Sequence, residues 1–152
     1  MEVTKVVQEA YADVRAFNDI AGNLDNVTAD SIDNQISFIF EELSETIAGF
    51  EAGDSIEVLD GACDLFVTVA GLMQKLEAKG YDVATALARV NANNLSKFPK
   101  FIAAEDMRDG YTVAVNKLHG RYVIKDNNGK VRKPTSFQAV DLSDLVPSKG
   151  GV

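Results

Sequence analysis

The stretch V-L-D-G-A-C-D-L-F-V-T-V-A-G-L-M, from Val58 to Met73, is apolar on nearly every side of a helix, yet it carries Asp60 and Asp64. Such a helix must be covered from several directions. A carboxylate drawn under that cover is costly unless something neutralises it. The cover has to come from 152 residues, the length of one small globular chain. The preceding segment offers it, because Ile32, Ile36, Ile39, Phe40, Leu43, Ile47 and Phe50 recur at steps that keep to one helix face. One helix is therefore expected from about Ile32 to about Gly49. The next is expected to start at Asp54, an N-cap with Glu57 as its capping-box partner, and to run to Lys79 with Gly80 as its C-cap. Met1 to Ala21 predicts a less regular amphipathic helix and Val83 to about Ser96 a fourth.

Beyond Pro99 the pattern changes. Tyr111, Val113 and Val115, then Tyr122, Val123 and Ile124, flank His119-Gly120, and Asp126-Asn127-Asn128-Gly129 is a tight-turn signal leading into Lys130 to Lys133. A small β-hairpin is expected there, too short for a core of its own. The expected division is residues 1–104 for a helical portion and 105–152 for the hairpin and C-terminal extension, with a frayed tail after Leu145 that includes Pro147 and Gly150-Gly151.

Composition narrows the chemistry. One cysteine (Cys63) and one histidine (His119) exclude an internal disulfide and a Cys/His zinc site. No run approaches a membrane span and the amino terminus has no apolar signal core, so a cytoplasmic protein is expected. The formal charge of -8 argues against a nucleic-acid polymer as partner. The charge is also segregated: no Lys or Arg occurs from Ala16 to Gln74, and basic residues return mainly between Lys97 and Lys133. P-loop, dinucleotide-binding and nucleophile-elbow motifs are absent, so any bound phosphate must be held by metal and side chains.

The acids fall in two sets on consecutive helices. Glu42 and Glu45 project about 60° apart on one flank, with Glu41 beside them; Glu57, Asp60 and Asp64 lie within about 60° of one another. A solvated stripe accounts for Glu41, Glu51 or Glu57 as well as a site does. It accounts poorly for Asp64, which has no Lys or Arg within a helical turn. Carboxylates packed this closely repel, and Mg2+ or Mn2+ held by their oxygens is the simplest remedy.

The run EELSE (Glu41 to Glu45), then EVLDGACDLFVTVAG (Glu57 to Gly71), then ARVNANNLSKF (Ala88 to Phe98), resembles the MazG-like all-α nucleoside triphosphate pyrophosphohydrolases, whose ordered elements are E-E-x-x-E, E-x-x-D and N-x-x-K. The likeness spans about residues 30 to 100. It implies an all-α fold, an antiparallel four-helix core with the hairpin appended, assembled as a homodimer or homotetramer. It implies Glu42 and Glu45 as metal ligands. Glu57 and Asp60 match E-x-x-D, while the following D-L-F-V puts Asp64 in the aspartate position with Gly61 where the glutamate stands. Asp60 and Asp64 are therefore expected to complete a site for two or more ions, with Glu57 behind them or capping the helix. Asn94 and Lys97 match N-x-x-K, which holds substrate phosphates.

The segment GRYVIKDNNGKVRKP (Gly120 to Pro134) resembles the hairpin of a bacteriophage branch of that superfamily, which implies that Lys130, Arg132 and Lys133 reach triphosphate oxygens, the alternative being an exposed basic turn. The implied reaction is hydrolysis of an NTP or dNTP to the monophosphate and pyrophosphate, with Glu41 or Glu45 taking the proton of the attacking water. A purine substrate, dGTP or GTP, is expected. Phe17 and Asn18 are candidates to stack on and hydrogen-bond the base; the alternative is helix core and helix cap. His119 is expected to be a turn residue. Rival readings are a dUTPase-like or phosphoribosyl-ATP pyrophosphohydrolase on the same scaffold, and a noncatalytic acidic helical protein that binds a partner through its apolar helix.

Overall fold

The computed structural model describes residues 2–148, and the expectations for Met1 and for Gly150-Gly151 lie outside them. Four helices form: α1 (Val3–Ile20), α2 (Ala29–Ala52), α3 (Ser55–Ala78) and α4 (Val83–Ser96). They are followed by a two-stranded sheet, β1 (Thr112–Asn116) and β2 (Arg121–Lys125). The described residues pack as two units, 2–83 with 146–148, and 84–145. The boundary thus falls at the start of α4, ahead of the expected 104/105 division. The first unit contains α1 to α3, and α4 belongs with the hairpin segment.

In the first unit the caps are local. Thr28 and Ser31 cap α2 reciprocally, each side-chain oxygen accepting the other's backbone N–H. Asp54 caps α3, its Oδ1 accepting from Ile56 N at 3.0 Å and Glu57 N at 3.2 Å. The expected return bond from Glu57 is not needed, because the Asp54 N–H donates to Gly49 O at 2.9 Å. That bond and Gly53 N to Phe50 O close a Schellman motif with Gly53 left-handed at φ 71°, which folds α3 back antiparallel onto α2. At the far end of α3 the cap is Lys79, one residue before the expected Gly80, which instead takes the left-handed φ of 90° just beyond the helix. Replacing Asp54 with Ala orphans two N–H groups and is expected to cost about 1 kcal/mol, read as a lower urea midpoint with an unchanged slope.

Small residues set how closely α2 and α3 approach. A methyl at Gly49 would meet Glu57 Cβ at 2.8 Å, one at Gly71 would meet Gln35 Nε2 at 2.9 Å, and one at Gly61 would lie 3.2 Å from Thr46 Cα. These pairs fix an antiparallel register along the whole hairpin.

The seams are polar. Gln74 is fully buried, accepting from Asn18 Nδ2 at 3.1 Å and donating to Tyr11 O at 3.0 Å. Glu77 receives Tyr11 Oη and Arg15 Nη2. Buried Lys75 donates to Ser31 O at 2.8 Å, and burial lowers its pKa. Large apolar side chains of the hairpin stay exposed, among them Phe40, Phe50, Ile56 and Leu59. The cover expected for α3 is therefore only partly supplied among the described residues.

In the second unit, β1 and β2 pair antiparallel from Thr112↔Lys125 to Asn116↔Arg121. His119 lies in the connecting turn, as expected, its N–H donating to Asn116 Oδ1. The Asp126 carboxylate organises the next turn by accepting from Asn128 N and Lys130 N, and Val131 then bridges back to Lys125. Tyr122 N donates to Pro99 O and Arg121 Nη1 to Phe98 O, tying the strands to the segment after α4. Arg89 of α4 forms a two-pronged ion pair with Asp144. Buried Asp106 accepts from Thr135 N at 2.6 Å and Ala103 N at 3.3 Å. Burial pushes its pKa up, but these N–H groups and the charge of Arg108 outweigh that and hold it low. Asp106→Ala is expected to destabilise this unit by about 2–3 kcal/mol, because two buried N–H groups lose a charged acceptor; hydrogen exchange at Ala103 and Thr135 reads the loss directly.

Candidate functional site

The close α2–α3 contact brings the two acidic sets to face each other. Gly61 lies against Thr46, so Glu42 and Glu45, a turn before and just before Thr46, come opposite Asp60 and Asp64, which precede and follow Gly61. Thr46 Oγ1 donates to Glu42 O at 2.7 Å and Thr68 Oγ1 to Asp64 O at 2.9 Å, leaving both carboxylates free of those hydroxyls. Glu42 is half-buried and its carboxyl is held above the ordinary range. Partial desolvation is the largest cause, followed by the charges of Asp64, Glu45, Glu41 and Asp60 in that order. Among the described residues none of these acids forms an ion pair; pairs that do form include Lys5–Glu9, Arg15–Glu77, Arg89–Asp144 and Arg132–Asp126.

The hairpin therefore brings together Glu41, Glu42, Glu45, Asp60 and Asp64. Glu57 stands at the turn end, its stem against Gly49 and its N–H on Asp54. Among the described residues no three acidic, histidine or cysteine side chains converge closely enough, as placed, to hold one ion.

Asn94 and Lys97 lie on and just after α4, in the other unit, and pair with each other, Lys97 Nζ donating to Asn94 Oδ1 at 2.8 Å. Lys130, Arg132 and Lys133 follow the Asp126 turn in that same unit. Arg132 is paired with Asp126, and Lys133 Nζ lies 4.5 Å from the centre of the Phe137 ring. Phe17 and Asn18 do not present themselves together. Phe17 is exposed, while the Asn18 amide is buried and taken at both atoms, donating to Gln74 and accepting from Asn23. Adjacent helix positions diverge by about 100°, so one can face solvent while its neighbour enters the α1–α3 seam. The helix-core alternative describes Asn18.

Sequence reading missed the glycines that set the spacing. Gly49, Gly61 and Gly71 carry no chemistry of their own, and their pairing with Glu57, Thr46 and Gln35 depends on the partner helix. It also missed Arg108 and Tyr111, which join Lys130, Arg132 and Lys133 around one cavity. Comparison with known proteins returns no matching family model, no matching curated protein and no matching solved structure.

Proposed function

We propose that the chain is a metal-dependent nucleoside triphosphate pyrophosphohydrolase, converting an NTP or dNTP to the monophosphate and pyrophosphate. The observation that carries this reading is the carboxylate cluster across α2 and α3, which has no cationic partner among the described residues and in which partial desolvation, with four neighbouring acids, holds the Glu42 carboxyl above its ordinary value. A cation partner is the simplest relief of such repulsion. An all-oxygen donor set suits Mg2+ or Mn2+. Glu42, Glu45, Asp60 and Asp64 would hold it, drawing together from their present rotamers, with Glu57 at the turn end behind them. The metal, when bound, supplies Lewis acidity to phosphate oxygens and to a water.

The chain's own residues do the rest. Glu41 or Glu45 accepts the proton of the water that attacks the α-phosphorus, and the bond to the bridging oxygen breaks to release pyrophosphate. The paired Asn94 and Lys97 are the groups to which the motif resemblance assigns substrate phosphates. A purine, dGTP or GTP, is the first base to test.

The exposed apolar side chains of α2 and α3 support a homodimer or homotetramer in which a second copy covers them. The same surface also favours the rival reading of a noncatalytic helical protein that docks a partner there.

The experiment is pyrophosphate release from a panel of NTPs, dNTPs, dUTP and phosphoribosyl-ATP with Mg2+, Mn2+ or EDTA, distinguishing pyrophosphate from orthophosphate. Metal-dependent pyrophosphate is the expected result, and its distribution over the panel separates the purine reading from the dUTPase-like and phosphoribosyl-ATP ones. Folded protein that releases none with any metal would favour the noncatalytic reading.

A further inference from the structure

The second unit contains a cavity of about 310 Å3 whose charge is opposite in sign to that of the α2–α3 cluster. Arg108, Lys130, Arg132 and Lys133 line it. The ring of Tyr111 and the buried Ile124 add apolar wall. Asp106 also lines the cavity and Asp126 is paired with Arg132, so these two carboxylates offset two of the four positive charges and leave an excess of two. Asp106 is engaged by the N–H groups of Thr135 and Ala103, and Asp126 by those of Asn128 and Lys130 as well as by Arg132 Nη2.

One donor is left over. The Nε of Arg132 is the buried side-chain nitrogen or oxygen among the described residues that has no hydrogen-bond partner. A buried guanidinium N–H without an acceptor costs stability, and an oxyanion is the acceptor that suits a guanidinium. The volume lies near the lower end of small-ligand sites, about 300–1,000 Å3. Four cationic side chains around so small a space suit a ligand with several negative oxygens better than a single carboxylate.

We propose that this cavity is a polyphosphate-binding site, taking a di- or triphosphate group through Arg108, Lys130, Arg132 and Lys133. The site belongs wholly to residues 84–145 and does not rest on the hydrolase reading. Two sources share the chemistry, an inorganic polyphosphate and a nucleoside polyphosphate whose base stacks on Tyr111.

The test is calorimetric titration of the full chain in EDTA, where metal-dependent turnover is off, with pyrophosphate, tripolyphosphate, dGTP and the nucleoside deoxyguanosine. Binding of tripolyphosphate is expected, and Arg108→Gln and Lys130→Gln should each weaken it about tenfold, the scale of one charge-assisted hydrogen bond. Lys130→Gln is the safer variant for folding, since the backbone of Lys130 makes the turn bonds. Lys117→Gln removes a charge from the β1–β2 turn outside the cavity and should leave affinity unchanged. Tighter binding of dGTP than of tripolyphosphate identifies the nucleotide as the source, and the reverse order identifies the inorganic ion. No binding, or equal loss with Lys117→Gln, overturns the proposal. So does tighter, Lys130-dependent binding of a single-stranded oligonucleotide, which would make the cluster a nucleic-acid surface. Polyphosphate binding in EDTA by a chain that releases no pyrophosphate with Mg2+ or Mn2+ would remove the hydrolase reading and leave this one standing.

Discussion

Asp64→Asn is expected to abolish metal-dependent pyrophosphate release, by a factor of about 10³ or more in kcat, with helical content unchanged. The substitution keeps the shape of the side chain and the Thr68 Oγ1 bond to the Asp64 backbone carbonyl, so the hairpin has no packing reason to change. It removes one charge from the group that a cation would have to satisfy. Glu42→Gln should be equally inactive, yet more stable than wild type at neutral pH. The sign follows from the raised carboxyl of Glu42: the folded chain holds that proton more tightly than the unfolded chain, so its ionisation weakens folding as pH rises past the ordinary carboxylate range. The gain from Glu42→Gln is thus present at neutral pH and disappears below that range. Thermal midpoints of both variants at pH 4 and pH 7.5, beside turnover, separate a site from a solvated stripe. A stripe loses neither activity nor repulsion; retained turnover in Asp64→Asn would remove this residue from the reaction. Gain of stability with loss of function is the usual mark of charges kept together for a ligand.

The second large effect concerns spacing. Gly61→Val is expected to destabilise the first unit by about 3 kcal/mol or more, and Gly61→Ala by about 1–2 kcal/mol. Alanine is the better helix former by about 1 kcal/mol, so a net loss measures the clash directly. A methyl there would enter the contact radius of Thr46 Oγ1 and lie 3.1 Å from Thr46 Cβ and 3.2 Å from Thr46 Cα. Rotating the hydroxyl relieves only the first of these and gives up its bond to Glu42 O. Thr46→Ala should recover part of the Gly61→Ala loss, with a coupling of about 1 kcal/mol in a double-mutant cycle by urea unfolding. Additive losses would show that the two helices do not meet at this pair. Because the acids lie next to the same contact, pushing the helices apart should also lower the Glu42 carboxyl toward its ordinary value, visible in its side-chain titration by NMR.

The helices were legible because their signals are local. The steps of Ile32 to Phe50, the Asp54 cap and the turn signal at Asp126 each depend on a few neighbouring residues, and all appear where those residues stand. The two acidic sets were equally legible as faces of single helices. Their meeting was not, because it depends on Gly61 admitting Thr46, a contact between positions fifteen residues apart that hydrophobic period does not encode. The same reason explains Glu57, whose cap role was forestalled by the Gly49 carbonyl, and Asn18, whose amide is claimed by Gln74 from another helix. Arg108 joins Lys130 and Arg132 only through the fold of the second unit. By itself, then, the sequence determined which segments become helix or strand and where like charge accumulates. Tertiary structure decided which charges face one another, because that is set by how closely two backbones can approach, and glycines on one helix act only through what the other places opposite them.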